Sequence, residues 1–236
     1  MVDKNGKIIE LKKFVNFIGD NINFENEDDI RNITVEALRL TTENFLFSII
    51  LSSNLNSLDY CKKNISENIN EEYLPIIEDN FEGFIKNAFF INYFVQIENH
   101  IRQIALHFER SVGSINEISI MKTFKNLMDL NKLEYFRTIS NDDLNLFEFY
   151  CFLRNTMHNA GFHNRDDKSL IIHDSESIFD KDELKIYLIK DSPNSISFIH
   201  LLLLHEQIIK LIFKFNVCIP IEEVIAHKFS SIGFNE

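Results

Sequence analysis

Glycine and proline, the residues that punctuate a chain, are almost missing: there are six Gly and three Pro in 236 positions. Barrels and sandwiches need turn signals about every 8–12 residues, and dinucleotide-binding folds need Gly-rich phosphate loops. A chain so poor in reversals is directed toward long helices. Its length suits one domain, or one domain with an N-terminal attachment, and is enough to bury a sizeable core.

Apolar periodicity supports helices along most of the chain. Residues 8–18 (IIELKKFVNFI) read as a short amphipathic helix. Asn26 is placed to cap a second one, with Glu27, Asp28 and Asp29 in its first turn, where negative charge suits the helix dipole. That helix is expected to run through Ile30, Ile33, Ala37, Leu40 and Thr41 to about Ser53. A polar stretch to residue 70 has room for a further helical piece, and Pro75 is expected to break the pattern. Residues 81–108 form the clearest long helix, with a stripe at Phe84, Ala88, Ile91, Val95, Glu98, Arg102, Ala105 and Phe108. Other faces are apolar too, which predicts a central position. Further helices are expected at 118–136 and from the cap at Ser140 to a glycine stop at Gly161.

The period then changes. Residues 169–173 (SLIIH) and 183–190 (ELKIYLIK) are β-like runs that predict a small hairpin over about 169–190. A last long helix covers 196–215, with Pro220 beyond it and the run 201–206 read as core plus rim. The expected fold is mostly α, a helical bundle with a β-hairpin inserted before the last long helix. An N-terminal helical region, 1–75, is expected to pack on a bundle of 76–236.

Lys and Arg number 24 against 36 Asp and Glu, a net charge of −12. The excess is uneven: residues 1–80 hold 8 basic and 15 acidic side chains, 81–165 hold 9 of each, and 166–236 hold 7 and 12. An acidic surface repels bulk duplex DNA, yet the neutral middle third has room for a local cationic pocket that holds one phosphate. No apolar run approaches the length of a membrane span, the first ten residues carry no apolar leader, and three scattered Cys make no disulfide framework. These features predict a cytoplasmic protein. The His pairs at 158/163 and 200/205 are five apart and do not face one ion, so neither a metal nor a cofactor is expected.

The sharpest local feature is LRNTMHNAG, residues 153–161. Arg154 and His158 are four apart, as are Asn155 and Asn159, so each pair shares a helix face. A guanidinium grips phosphate bidentately, and an imidazole passes protons near neutral pH. Together they suit metal-free RNA cleavage, with His158 as acid or base and Arg154 stabilising charge on phosphorus. Glu98 and Arg102 repeat the four-residue spacing on the long helix, and Glu98 is expected to pair with Arg102 or Arg154. The same residues also suit a plain helix end and a plain ion pair. Cys151, three residues before Arg154, reads as a small buried hydrophobe, and His163 is expected in solvent.

The Arg-Asn-x-x-His-Asn-x-Gly segment, with Glu98 on an earlier helix, resembles the HEPN superfamily of helical-bundle proteins over roughly residues 81–215. The resemblance implies Arg154 and His158 as catalytic residues, supported by Asn155, Asn159, Glu98 and Arg102. It further implies a homodimer that brings two motifs into one cleft and, in active members, a metal-independent ribonuclease acting on RNA in antiviral or toxin–antitoxin systems. Active members usually have more residues between Arg and His than the three found here. The alternative is a non-catalytic helical module that binds a partner protein, an antitoxin or defence component. A third reading, suggested only by the charge, is an acidic mimic of nucleic acid.

Overall fold

A computed structural model of the chain describes residues 3–21, 26–108, 119–129, 134–159 and 161–226. The described residues are mostly helical: α1 (Lys4–Gly19), α2 (Ile30–Leu51), α3 (Leu58–Asn64), α4 (Leu74–His107), α5 (Ile120–Asp129), α6 (Asn141–His158) and α7 (Phe198–Asn216). Between α6 and α7 lie β1 (Phe162–His163), β2 (Lys168–His173), β3 (Glu183–Leu188) and β4 (Ser192–Pro193). β2 and β3 pair antiparallel with Leu170 opposite Ile186, and β1 pairs with β4 at the base of the same excursion. The alternation of β3, with Leu184, Ile186 and Leu188 buried, lays one face of the hairpin on the helices. The expected 118–136 helix is α5 plus a short 3-10 turn at Glu134–Phe136, with residues 118 and 130–133 outside the described ones.

Two helix starts differ from the sequence expectation. The cap of α2 is Asp29 rather than Asn26, because Asp29 accepts from the Arg31 amide and is also held by the Arg31 guanidinium. Asn26 instead accepts from the Asp28 amide in the preceding turn. Pro75 does not interrupt α4 but sits in its first turn, where the missing N–H has no helical partner to lose. The helix therefore begins seven residues before position 81, and the boundary expected at 75/76 falls within its first turn.

Burial corrects the phase of two stripes. On α2 the inward face is Ile30, Thr34, Leu38, Thr42, Phe45 and Ile49, while Leu40 is exposed. On α4 it is Phe89, Phe90, Tyr93, Phe94, Ile97 and Ile101, while Phe84 and Val95 face outward. The most enclosed helix is α7, not α4: Leu201 to Glu206 are all buried, so the expected rim at His205 and Glu206 lies inside. Glu206 is satisfied there by Lys210, the Ser177 hydroxyl and the Ile178 amide. Side chains of α1 and α2 (Leu11, Phe14, Val35, Phe45) belong to one apolar core with those of α4, α6, α7 and the hairpin. No helix among the described residues is long and apolar enough to cross a membrane.

Two imidazoles are fully buried in this core. His205 of α7 lies among Phe89, Phe90, Tyr93 and Tyr150, with Nε2 3.1 Å from the Tyr150 hydroxyl. His100 of α4 bridges Thr34 Oγ1 at 3.1 Å and Asn216 Oδ1 at 2.7 Å. Burial pushes their pKa values down to about 3 and about 4 respectively, so both are neutral in the folded chain at neutral pH.

Candidate functional site

The start and end of α6 are set locally. Ser140 accepts from the Asp143 amide while the Asp143 carboxylate accepts from the Ser140 amide, a closed capping box, and Lys214 of α7 reaches the same carboxylate at 2.5 Å. At the other end Gly161 adopts φ +85° and donates its amide to the Thr156 carbonyl at 2.9 Å. This pins the last turn of α6, which carries Arg154, Asn155 and His158. His163, expected in solvent, is buried: its ring nitrogens meet Thr156 Oγ1 at 2.8 Å and the Asp166 carbonyl at 3.0 Å. It fastens β1 to the helix end and has no open face for chemistry.

Arg154 and Asn155 open on a cavity of about 440 Å³ between α6, α4 and the start of α5. Glu98 and Arg102 of α4 form its opposite wall, joined by Arg102 Nε and Nη2 donating to Glu98 Oε1 at 3.0 and 2.8 Å. Of the two pairings expected for Glu98, the structure has the one with Arg102. Four of the six site residues expected from sequence thus share one cavity. His158, the last residue of α6, is exposed and not among the cavity's lining residues, and neither is Asn159, the exposed cap residue.

Sequence reading missed one cation that lines the cavity, Arg165, and a second, Lys168, on the ring of its lining residue Phe152. Arg165, just beyond β1, has its guanidinium 5.5 Å from the centre of the Phe152 ring, and the Lys168 ammonium lies 4.9 Å from the same ring. Arg154 is stacked likewise over Phe94 at 5.5 Å and donates to Asn155 Oδ1 at 3.2 Å. Aromatic faces hold these cations through the ring quadrupole while leaving their N–H edges available. The two carboxylates that line the cavity have cations of their own, Glu98 with Arg102 and Glu148 with Lys125 at 3.3 Å. Among the described residues neither Arg154 nor Arg165 is paired with a carboxylate. Among the described lining residues the three arginines Arg102, Arg154 and Arg165 thus outnumber the two carboxylates Glu98 and Glu148, in a chain of −12.

Cys151 borders the same space. Burial, with the charges of Glu98 and Glu148 beside it, outweighs Arg154 and pushes the thiol pKa up to about 12. This thiol stays protonated and serves as packing. Among the described residues no group of three or more His, Cys, Asp and Glu is placed to hold a metal ion.

The fold defines a mostly helical bundle, with a cationic cavity at the end of α6. No protein-family model, curated protein or solved structure matches the chain.

Proposed function

We propose that the chain is a HEPN-like ribonuclease of a defence or toxin–antitoxin system, acting as a homodimer and without a metal. In this reading a backbone phosphate of RNA enters the cavity and is gripped by Arg154, with Arg165 and Arg102 beside it. His158, one helical turn from Arg154, takes the proton of the ribose 2′-hydroxyl. The 2′-oxygen then bonds to phosphorus as the bond to the 5′-oxygen breaks, and a proton passes to that leaving oxygen. Asn155 holds the Arg154 guanidinium, and the Glu98–Arg102 pair fixes the opposite wall. The observation that carries this reading is the combination of two arginines without carboxylate partners among the described residues, both stacked on aromatic rings at one open cavity. A pre-positioned guanidinium suits phosphate in ground state and transition state alike.

The exposure of His158 outside the cavity favours a second reading, in which the same cavity holds an acidic segment of a partner protein without chemistry. One experiment separates the two. The purified chain is incubated with total and structured RNA in EDTA, beside Arg154→Ala and His158→Ala variants whose fold is verified by circular dichroism. Cleavage by the wild type that is lost in both variants supports the ribonuclease. Binding of an acidic peptide that is lost in Arg154→Ala but kept in His158→Ala, with no cleavage by any form, supports the binding module.

A further inference from the structure

The outward sides of α2 and α4 share a stretch without charge, bordered by Glu36, Arg39 and Glu43 near Leu40 and by Glu82 and Lys86 near Phe84. Residues 44–58 and 87–97 contain no Asp, Glu, Lys or Arg. The two helices run antiparallel, with Thr34 beside His100 and Phe45 stacked on Phe89 at 4.4 Å. Between them lies a shallow groove of about 240 Å³ where Thr41, Asn44 and Ser48 of α2 face Ala88 and Asn92 of α4. Large apolar side chains stand on both helices beside it: Phe47 is 57% exposed, Leu51 63%, Phe84 70% and Val95 52%. With Leu40, these five side chains leave on the order of 500 Å² of mostly apolar surface in water, at about 100 Å² each. That is at the upper end of the largest patch on a typical monomer, about 300–600 Å². With the groove walls it stays below the roughly 800 Å² that each partner contributes to a standard interface and matches the smaller class of about 600 Å² or less per partner.

We propose that this face is where two copies of the chain meet across a twofold axis. An isologous contact brings each group near copies of itself or of its neighbours, so the surface must be self-complementary. Predominantly acidic faces of a −12 chain fail that condition, since like charges meet and repel. This face meets it: apolar side chains pack on apolar side chains, and the groove groups, the amides of Asn44 and Asn92 and the hydroxyls of Thr41 and Ser48, both donate and accept hydrogen bonds. The outer stripe of α4, with Phe84 and Val95 exposed and Ala88 and Ile91 half-buried between them, continues at the same spacing to Glu98 and Arg102. A second copy seated on the stripe therefore borders the Arg154 cavity. The inference gives a surface to the dimer of the preceding section and rests on that reading only for the cavity's role.

Light scattering on the full chain over a range of micromolar concentrations tests it. The expected mass is twice the 27.8 kDa of one chain. Phe84→Asp and Phe47→Asp, both at exposed positions, are expected to raise the dissociation constant by about 30-fold or more each, as central interface residues do, with helical signal unchanged. Val217→Asp, at an exposed position just beyond α7, leaves the dimer intact. A monomeric wild type, a dimer that survives the Phe47→Asp/Phe84→Asp double variant, or equal dissociation by Val217→Asp overturns the proposal. Mass and RNA cleavage are read separately: a dimer of the expected kind that cuts no RNA leaves the surface standing and removes the ribonuclease alone.

Discussion

The Arg31 guanidinium and the Asp29 carboxylate form an ion pair sealed from solvent, with Nε 3.0 Å from Oδ1 and Nη2 2.8 Å from Oδ2. The remaining N–H groups point past α7, to the carbonyls of Ile219, Pro220 and Glu223 at 3.1, 3.3 and 2.6 Å. One side chain near the N-terminus thus satisfies backbone acceptors that follow the last helix. Removing one partner of a buried pair leaves the other charge uncompensated. Arg31→Met is expected to lower the unfolding free energy by about 3–5 kcal/mol in urea titration. The double variant Asp29→Ala/Arg31→Met should cost clearly less than the two single losses added together.

Stability should fall as pH drops below neutrality. His100 and His205 titrate near 6.5 when unfolded but at about 4 and about 3 in the core. Between those values the unfolded chain binds protons that the folded chain does not, so stability rises with pH through the window and is complete above it. Each imidazole adds a slope of about 1.4 kcal/mol per pH unit. Asp29 acts in the same direction at lower pH. Burial alone would raise its carboxyl, but hydrogen bonds from Arg31 and the Ile225 amide hold it below the ordinary range, so its contribution is lost on acidification. Urea midpoints measured from pH 4.5 to 7.5, about two units below and one above the histidine reference value, should show the slope. His205→Phe should remove about half of it.

Cys151 should resist alkylation. Its thiol pKa of about 12 leaves almost no thiolate at pH 8. Mass spectrometry after iodoacetamide is expected to find Cys151 unmodified in the folded chain and modified after denaturation. Glu98→Gln and Glu148→Gln together should speed the folded-state reaction. Rapid labelling of the wild type would contradict the environment described.

Two glycines should respond in opposite directions to alanine. Gly161 has φ +85°, and a Cβ there would come within 3.1 Å of the Asn194 carbonyl oxygen. Gly161→Ala is therefore expected to cost about 1–2 kcal/mol and to loosen the β1–β4 pairing. Gly83 lies within α4 with open space around its Cβ position. Gly83→Ala should stabilise by about 0.5–1 kcal/mol in the same assay.

Features written in local chemistry were legible in the sequence. The β-like runs at 169–173 and 183–190 predicted the hairpin found at Lys168–Leu188, and the Ser140 cap and Gly161 bounded α6, because each signal lies within a few residues of the structure it sets. Asp29 was missed as the cap because its deciding partners include the Ile225 amide, nearly 200 positions away. The inward faces of α2 and α4 were misphased because both helices carry large apolar residues on their outer side as well, and periodicity alone cannot rank two apolar faces. At the site, helical spacing paired Glu98 with Arg102, as found, and Arg154 with His158 and Asn155 with Asn159, of which only Arg154 and Asn155 line the cavity. Arg165 and Lys168 follow the glycine stop, where no helical period continues, so nothing in the sequence tied them to Phe152.

The bridge that pairs Asp29 with Ala226 has a temporal side. A chain leaves the ribosome from its N-terminus, so Asp29 and Arg31 emerge long before the carbonyls and amide they will hold. Until residues 216–226 are translated, the first turn of α2 carries a charged pair with no burial partner. Completion of the N-terminal helices thus waits on translation of residues 216–226, and a nascent chain released before them would lack the latch that closes the fold.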